Sequence, residues 1–130
     1  MTSGVYEFIV VGGGTAGIVI DTVQKERGYA ANAYYLLLKD RKNLEVVTNA
    51  VVEKILSDHG SQPPKAIGVQ YRHEAHTKTA LVSKEVVAAG SLQSPKLLEV
   101  SSVGNAGILQ PLGTGVVKEL KGVGENLHSS

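Results

Sequence analysis

Cysteine is absent from the 130 residues, which excludes a disulfide framework, thiolate catalysis and cysteine ligation of a metal. The same absence leaves the redox compartment unreadable. The chain has no block of like charge, no low-complexity tract and no internal repeat. Thirteen Lys and Arg against twelve Asp and Glu give a net charge of +1. That near-balance speaks against nucleic acid or an anionic membrane surface as the main partner. No apolar run approaches the roughly 20 residues that cross a bilayer. Met1-Thr2-Ser3-Gly4 leads into apolar sequence without the basic n-region of a signal peptide, so a cytoplasmic chain as expressed is the expectation.

A hydrophobic fraction of 42% over this length fits one globular domain spanning residues 1–130 with a genuine core. Tyr6 to Val11 reads as a short strand, and the large apolar run Phe8-Ile9-Val10-Val11 suits a parallel central position buried on both faces. Thr15 to about Arg27 reads as a helix with Gly28 as its stop. Tyr34 to Leu38 fits helix or strand equally. Strands are expected at Leu44–Thr48, Val51–Leu56, Ala66–Tyr71, Thr79–Val82 and Glu85–Ala89, with polar turns between them. The segment from about 50 to 83 suggests an antiparallel meander inserted into a parallel sheet. Ser94 to Leu112 is mostly helical in pattern, and a last short strand is expected near Val116-Val117.

The sharpest local signal is Gly12-Gly13-Gly14-Thr15-Ala16-Gly17, a G-x-G-x-x-G pattern directly after an apolar strand. Gly12 permits a tight turn, Gly14 lets the backbone approach a pyrophosphate, and Gly17 lets the helix pack closely on the strand. Free N–H groups at the helix start then face phosphate oxygens, and Thr15 can add a hydroxyl donor. The same pattern also serves as a plain strand-to-helix turn without a ligand. In such folds an acidic residue some twenty residues on accepts the ribose hydroxyls. Asp40 is the candidate, provided that Tyr34 to Leu38 forms the second strand; its neighbours Lys39, Arg41 and Lys42 fit a solvated turn equally well.

Other polar residues carry less. His73-Glu74-Ala75-His76 lacks the four-residue histidine spacing of a helical zinc site, and no metal site is expected. Ser91 and Ser94 lack a G-x-S-x-G elbow, and His59 and His128 have no visible partner, so no catalytic residue is assigned.

Several segments together resemble the glucose–methanol–choline (GMC) oxidoreductases. Tyr6 to Gly17 is similar to the amino terminus of that family, and Arg41 to Ala50 to the segment leading into its adenine-binding strand. Lys65 to Tyr71 resembles the strand that follows. Lys84-Glu85-Val86-Val87-Ala88-Ala89-Gly90-Ser91-Leu92-Gln93-Ser94-Pro95-Lys96-Leu97-Leu98 resembles the second family signature, and Gly122 to Leu127 the motif closing the region. Within the family the resemblance is strongest to the fungal glucose oxidase and glucose dehydrogenase branch. It implies a Rossmann-like α/β FAD-binding domain, with FAD rather than a nicotinamide as cofactor. By the same resemblance Gly12, Gly14, Thr15 and Ala16 hold the pyrophosphate, the backbone of Val52 (or Val51) contacts adenine, and Gly90 and Ser91 lie where a strand end approaches the cofactor.

The chain also departs from the family pattern. Asp21 to Leu38 resembles a family helix that normally follows a long cofactor-covering region, as if the ends were joined near Ile20-Asp21 with the ribose glutamate lost. The segment carrying the family's catalytic histidine has no counterpart here. Ser102, Gly115 and the ending His128-Ser129-Ser130 also differ from the family pattern. An engineered miniature is the simplest expectation. The expected function is non-covalent binding of FAD, or of its ADP half, with at most weak flavin redox activity. A complete FAD-dependent alcohol oxidoreductase and a scaffold without cofactor are the alternatives, and a nicotinamide-binding module is a further one. Apolar sheet left exposed by missing regions carries an expected hazard of self-association.

Overall fold

The computed structural model describes residues 4–12, 40–87 and 90–127. The glycine turn beyond Gly12, the helix expected from Thr15 and the ambiguous Tyr34–Leu38 all lie outside the described residues.

Four strands form one mixed sheet: β1 Val5–Val10, β2 Ala50–Asp58, β3 Lys65–His73 and β4 His76–Val87. Their order across the sheet is β1-β4-β3-β2. The β2–β3 and β3–β4 pairs are antiparallel and make a meander, whereas β1 runs parallel to β4. Helix α1, Gln93–Val100, packs against β2. After it come β5 Val103–Gly104, the single-turn helix α2 Ala106–Leu109, a 3-10 turn Gln110–Leu112 and β6 Lys118–Glu119. β5 and β6 form a separate two-stranded parallel ribbon.

The β3–β4 connection is a two-residue turn in which Glu74 and Ala75 both adopt positive φ, 54° and 57°. Two left-handed residues are what a tight hairpin turn needs to match the strand twist. The longer β2–β3 loop is organised by Asp58, whose Oδ1 accepts from the Gly60 N–H at 2.9 Å while its carbonyl accepts from Ser61 Oγ at 3.2 Å. Gly68 in β3 serves close strand contact: a Cβ there would overlap the Ala80 carbonyl oxygen and sit 3.1 Å from Leu81 Cα.

Among the described residues the core lies where α1 and the following turns cover the meander. Val69, in the central β3, is 2% exposed; Val82, Leu97 and Leu109 are the other buried large apolar side chains among the described residues. Burying a side chain of this kind is worth roughly 1.5–3 kcal/mol. Ser101, just past the end of α1, is the one buried polar residue among those described.

Several expectations are corrected. β1 is an edge strand of the described sheet rather than a central one, and its Phe8 and Val10 remain 51% and 62% exposed. Thr79–Val82 and Glu85–Val87 are one strand, because β4 passes through Ser83 and Lys84 with a register shift against β1 between Tyr6 and Phe8. A bulge absorbs the extra residue without breaking the strand. Lys84 fastens that place, its Nζ lying 3.1 Å from Glu7 Oε2 and 5.3 Å from the centre of the Phe8 ring. Leu44–Thr48 is not a strand: it pairs with no described strand, so its extended-chain propensity has no ladder to join. The stretch from Ser94 to Leu112 is two helices interrupted by β5, and the last strand falls at Lys118–Glu119 rather than Val116-Val117. The mixed sheet, with a parallel β1–β4 pair and an antiparallel β2–β3–β4 meander, agrees with the expected α/β class.

Candidate functional site

β1 and β4 run side by side and end together. Val10 is paired with Val87, and the Val11 N–H donates to the Val87 carbonyl at 2.8 Å. Beyond this last rung each strand meets a glycine in the left-handed region: Gly12 at φ 95° and Gly90 at φ 88°. Positive φ is nearly free for glycine and costs other residues, so the backbone conformation at both positions favours glycine. A Cβ built on Gly90 meets nothing within 4 Å, so conformation rather than crowding calls for glycine there. The Gly90 carbonyl accepts from the Ser94 N–H at 2.9 Å, which links the strand end to the start of α1.

An open cleft of about 830 Å³ lies beside these strand ends. One wall is β1 with Gly12; another is α1, through Gln93, Lys96 and Leu97. The floor is the sheet face carrying Val52, Val69 and Tyr71, where Val52 and Tyr71 are directly paired across β2 and β3. The segment at Glu45 and Val47 closes one side. Apolar walls with a few polar groups are the usual make-up of a small-molecule site.

The polar groups of the cleft are few enough to follow individually. Tyr6 Oη donates to Glu45 Oε2 at 2.5 Å. This hydrogen bond to the carboxylate is the main cause of a Tyr6 pKa raised above the usual phenol value, with burial and the Glu45 charge adding to it. Glu53 is partnered on the meander by Arg72, with Nε 3.6 Å from Oε1. Lys96 is the one cation among the described lining residues.

The residues expected from the sequence are distributed unevenly around this cleft. Gly12 and Val52 line it, and so does Val51, the one-off alternative to Val52. Gly90 and Ser91 form the turn that delivers α1 to the cleft without lining it. Asp40 stands in an exposed turn over residues 40–43 and is not a lining residue. Gly14, Thr15, Ala16 and Gly17 lie outside the described residues. Glu45, Tyr6 and Lys96 belong to the cleft and were not singled out as site residues in the sequence. Tyr6 and Glu45 are 39 residues apart, and no local motif joins them.

The family profile described as GMC oxidoreductase matches residues 14–130. A dehydrogenase of Armillaria gallica is 44% identical over 111 residues, covering 84% of this chain and 17% of that protein. An oxygen-dependent choline dehydrogenase of Pectobacterium atrosepticum is 40% identical over 108 residues, covering 82% of this chain and 19% of that protein. The chain therefore spans less than a fifth of the length of these curated relatives. Among solved structures, pyridoxine 4-oxidase from Mesorbium loti superposes with a TM-score of 0.62 at 23% identity, over 73% of this chain and 18% of that one. At that identity the likeness concerns the fold.

Proposed function

Since the chain belongs to the GMC oxidoreductase family, whose cofactor is FAD, we propose that it binds FAD non-covalently in the cleft beside the β1 and β4 strand ends. The observation that carries this reading is the position of Gly12: the parallel strands β1 and β4 pair up to Val10 and Val87, and Gly12, left-handed just beyond that rung, lines an apolar cleft. Ligands of α/β sheets bind outside the carboxyl ends of parallel strands, where chains diverge and free N–H groups become available.

In this reading Gly12, Gly14, Thr15, Ala16 and Gly17 form the pyrophosphate turn. The Val52 backbone meets adenine, and Gly90 with Ser91 holds the strand end against the cofactor. Lys96 adds a positive charge to the same cleft, which favours a ligand carrying phosphate. The lining fits the group: apolar walls for flat rings, Lys96 for the pyrophosphate and the carboxylates Glu45 and Glu53, the latter paired with Arg72, for hydroxyl donors. When bound, the isoalloxazine accepts and returns electrons by its own chemistry, while the protein orients it and shields it from side reactions. The residues of this chain bind and orient; none is assigned to deprotonate a substrate, and the proposed redox activity is weak.

The test is the visible absorbance spectrum of the purified chain after incubation with FAD and removal of free ligand. A retained flavin band that Gly14→Val abolishes is the expected result. A folded, colourless protein overturns the reading.

A further inference from the structure

We propose that Glu45 is the carboxylate that accepts the ribose hydroxyls of the bound dinucleotide, with Tyr6 as the residue that positions it; this rests on the FAD-binding reading above. Three carboxylates compete for the role. Asp40 does not line the cleft. Glu53 lines it but is already paired with Arg72 at 3.6 Å. Glu45 lines the cleft, and its Oε2 is engaged by the Tyr6 hydroxyl at 2.5 Å, while Oε1 takes no hydrogen bond among the described residues.

The chemistry of an oriented carboxylate selects its ligand. It offers acceptors and no donor, so it repels a phosphate and suits neighbouring hydroxyl donors. On a dinucleotide that also carries flat rings and a pyrophosphate, the matching donors are the ribose hydroxyls. The Tyr6 contact holds one oxygen fixed and leaves the other to the ligand, which lowers the ordering cost of binding. Tyr6 belongs to β1, so the same strand that ends at Gly12 also fixes the carboxylate. The negative charge also works against a nucleotide bearing a 2′-phosphate.

The experiment compares ADP with 2′,3′-dideoxy-ADP by titration calorimetry on the full chain and on Glu45→Gln, Tyr6→Phe and Asp40→Asn, with thermal midpoints recorded for each. Charge-assisted hydrogen bonds of this kind correspond to roughly tenfold or more in affinity. Glu45→Gln is expected to weaken ADP about tenfold and to leave the dideoxy analogue unchanged. Tyr6→Phe is expected to narrow the preference for ADP by a smaller factor, because the carboxylate stays but is no longer held. Equal weakening of both ligands by Glu45→Gln would mean a structural role only and overturns the proposal. Loss of the ADP preference in Asp40→Asn, with Glu45→Gln silent, also overturns it while leaving FAD binding intact. An unsubstituted chain that binds neither ADP nor FAD removes both this assignment and the reading beneath it.

Discussion

Ser101 Oγ accepts a hydrogen bond from the Ile55 backbone N–H at 2.8 Å and donates its own proton to the Leu97 carbonyl at 2.6 Å. One hydroxyl, 2% exposed, thus joins the outer strand β2 to the last turn of α1. The Leu97 carbonyl also accepts from the Ser101 N–H at 3.2 Å, so the hydroxyl is a second donor at this helix end, and the Ile55 N–H is the group that depends on it. Ile55 follows the irregularity between Val52 and Lys54, where the ladder to β3 is out of step.

Ser101→Ala is therefore expected to destabilise the chain by about 1–3 kcal/mol, the cost of stranding a buried donor. Urea unfolding followed by circular dichroism measures it. Because α1 forms one wall of the cleft, ligand binding is expected to weaken with it. An unchanged unfolding midpoint would mean that water replaces the hydroxyl.

Gly68→Ala is expected to be destabilising although alanine is the better residue almost everywhere else in an ordered segment. The added methyl meets the Ala80 carbonyl oxygen, backbone of the neighbouring strand that cannot rotate away. Overpacking of this kind costs about 1–3 kcal/mol. A thermal midpoint at or above that of the unsubstituted chain would show that β3 and β4 separate without penalty.

The hairpin turn offers the opposite sign. Glu74 and Ala75 hold φ values of 54° and 57°, which β-carbon sterics disfavour and which Asn and Gly adopt readily. The double substitution Glu74→Asn with Ala75→Gly is expected to stabilise the chain by about 0.5–1 kcal/mol. Thermal unfolding at neutral pH reads the shift, and a fall in the midpoint would contradict the turn geometry.

The Tyr6–Glu45 contact makes stability depend on alkaline pH. The protonated phenol is the donor, so folding raises its pKa above the ordinary value. The contact contributes fully below about pH 10, where the phenol is protonated in folded and unfolded chains alike. Its contribution is lost as pH rises through the raised folded value. Tyr6→Phe is expected to remove this part of the alkaline loss. Denaturation midpoints across an alkaline series, alongside phenolate absorbance, test the sign. A Tyr6 that ionises before the other tyrosines would refute it.

Where the pattern was local, sequence reading located it well. The runs at Val51–Leu56 and Ala66–Tyr71 lie inside β2 and β3, and the polar stretch from His73 contains the turn between β3 and β4. Short periodicities and turn residues write these features directly into the chain. Gly12 after an apolar run was legible for the same reason. Leu44–Thr48 was misread because its apolar residues have strand character, yet strand formation also needs a neighbour with open hydrogen bonds. Glu45 was missed because nothing nearby in sequence marks it; its partner lies on a strand 39 residues earlier.

By itself, the sequence determined the family, the strand-and-turn rhythm of the meander and the glycine that ends β1, since each rests on residues close together in the chain. The tertiary structure alone decided that β1 lies at the edge of the described sheet, that Ser83 and Lys84 bulge rather than break β4, and that Ser101 meets Ile55 across 46 residues. It also brought Glu45, Val52, Lys96 and Gly12 around one cleft. The reason is physical. Local propensities fix backbone conformation over a few residues, whereas pairing partners and shared cavities depend on contacts between distant segments that no local pattern encodes.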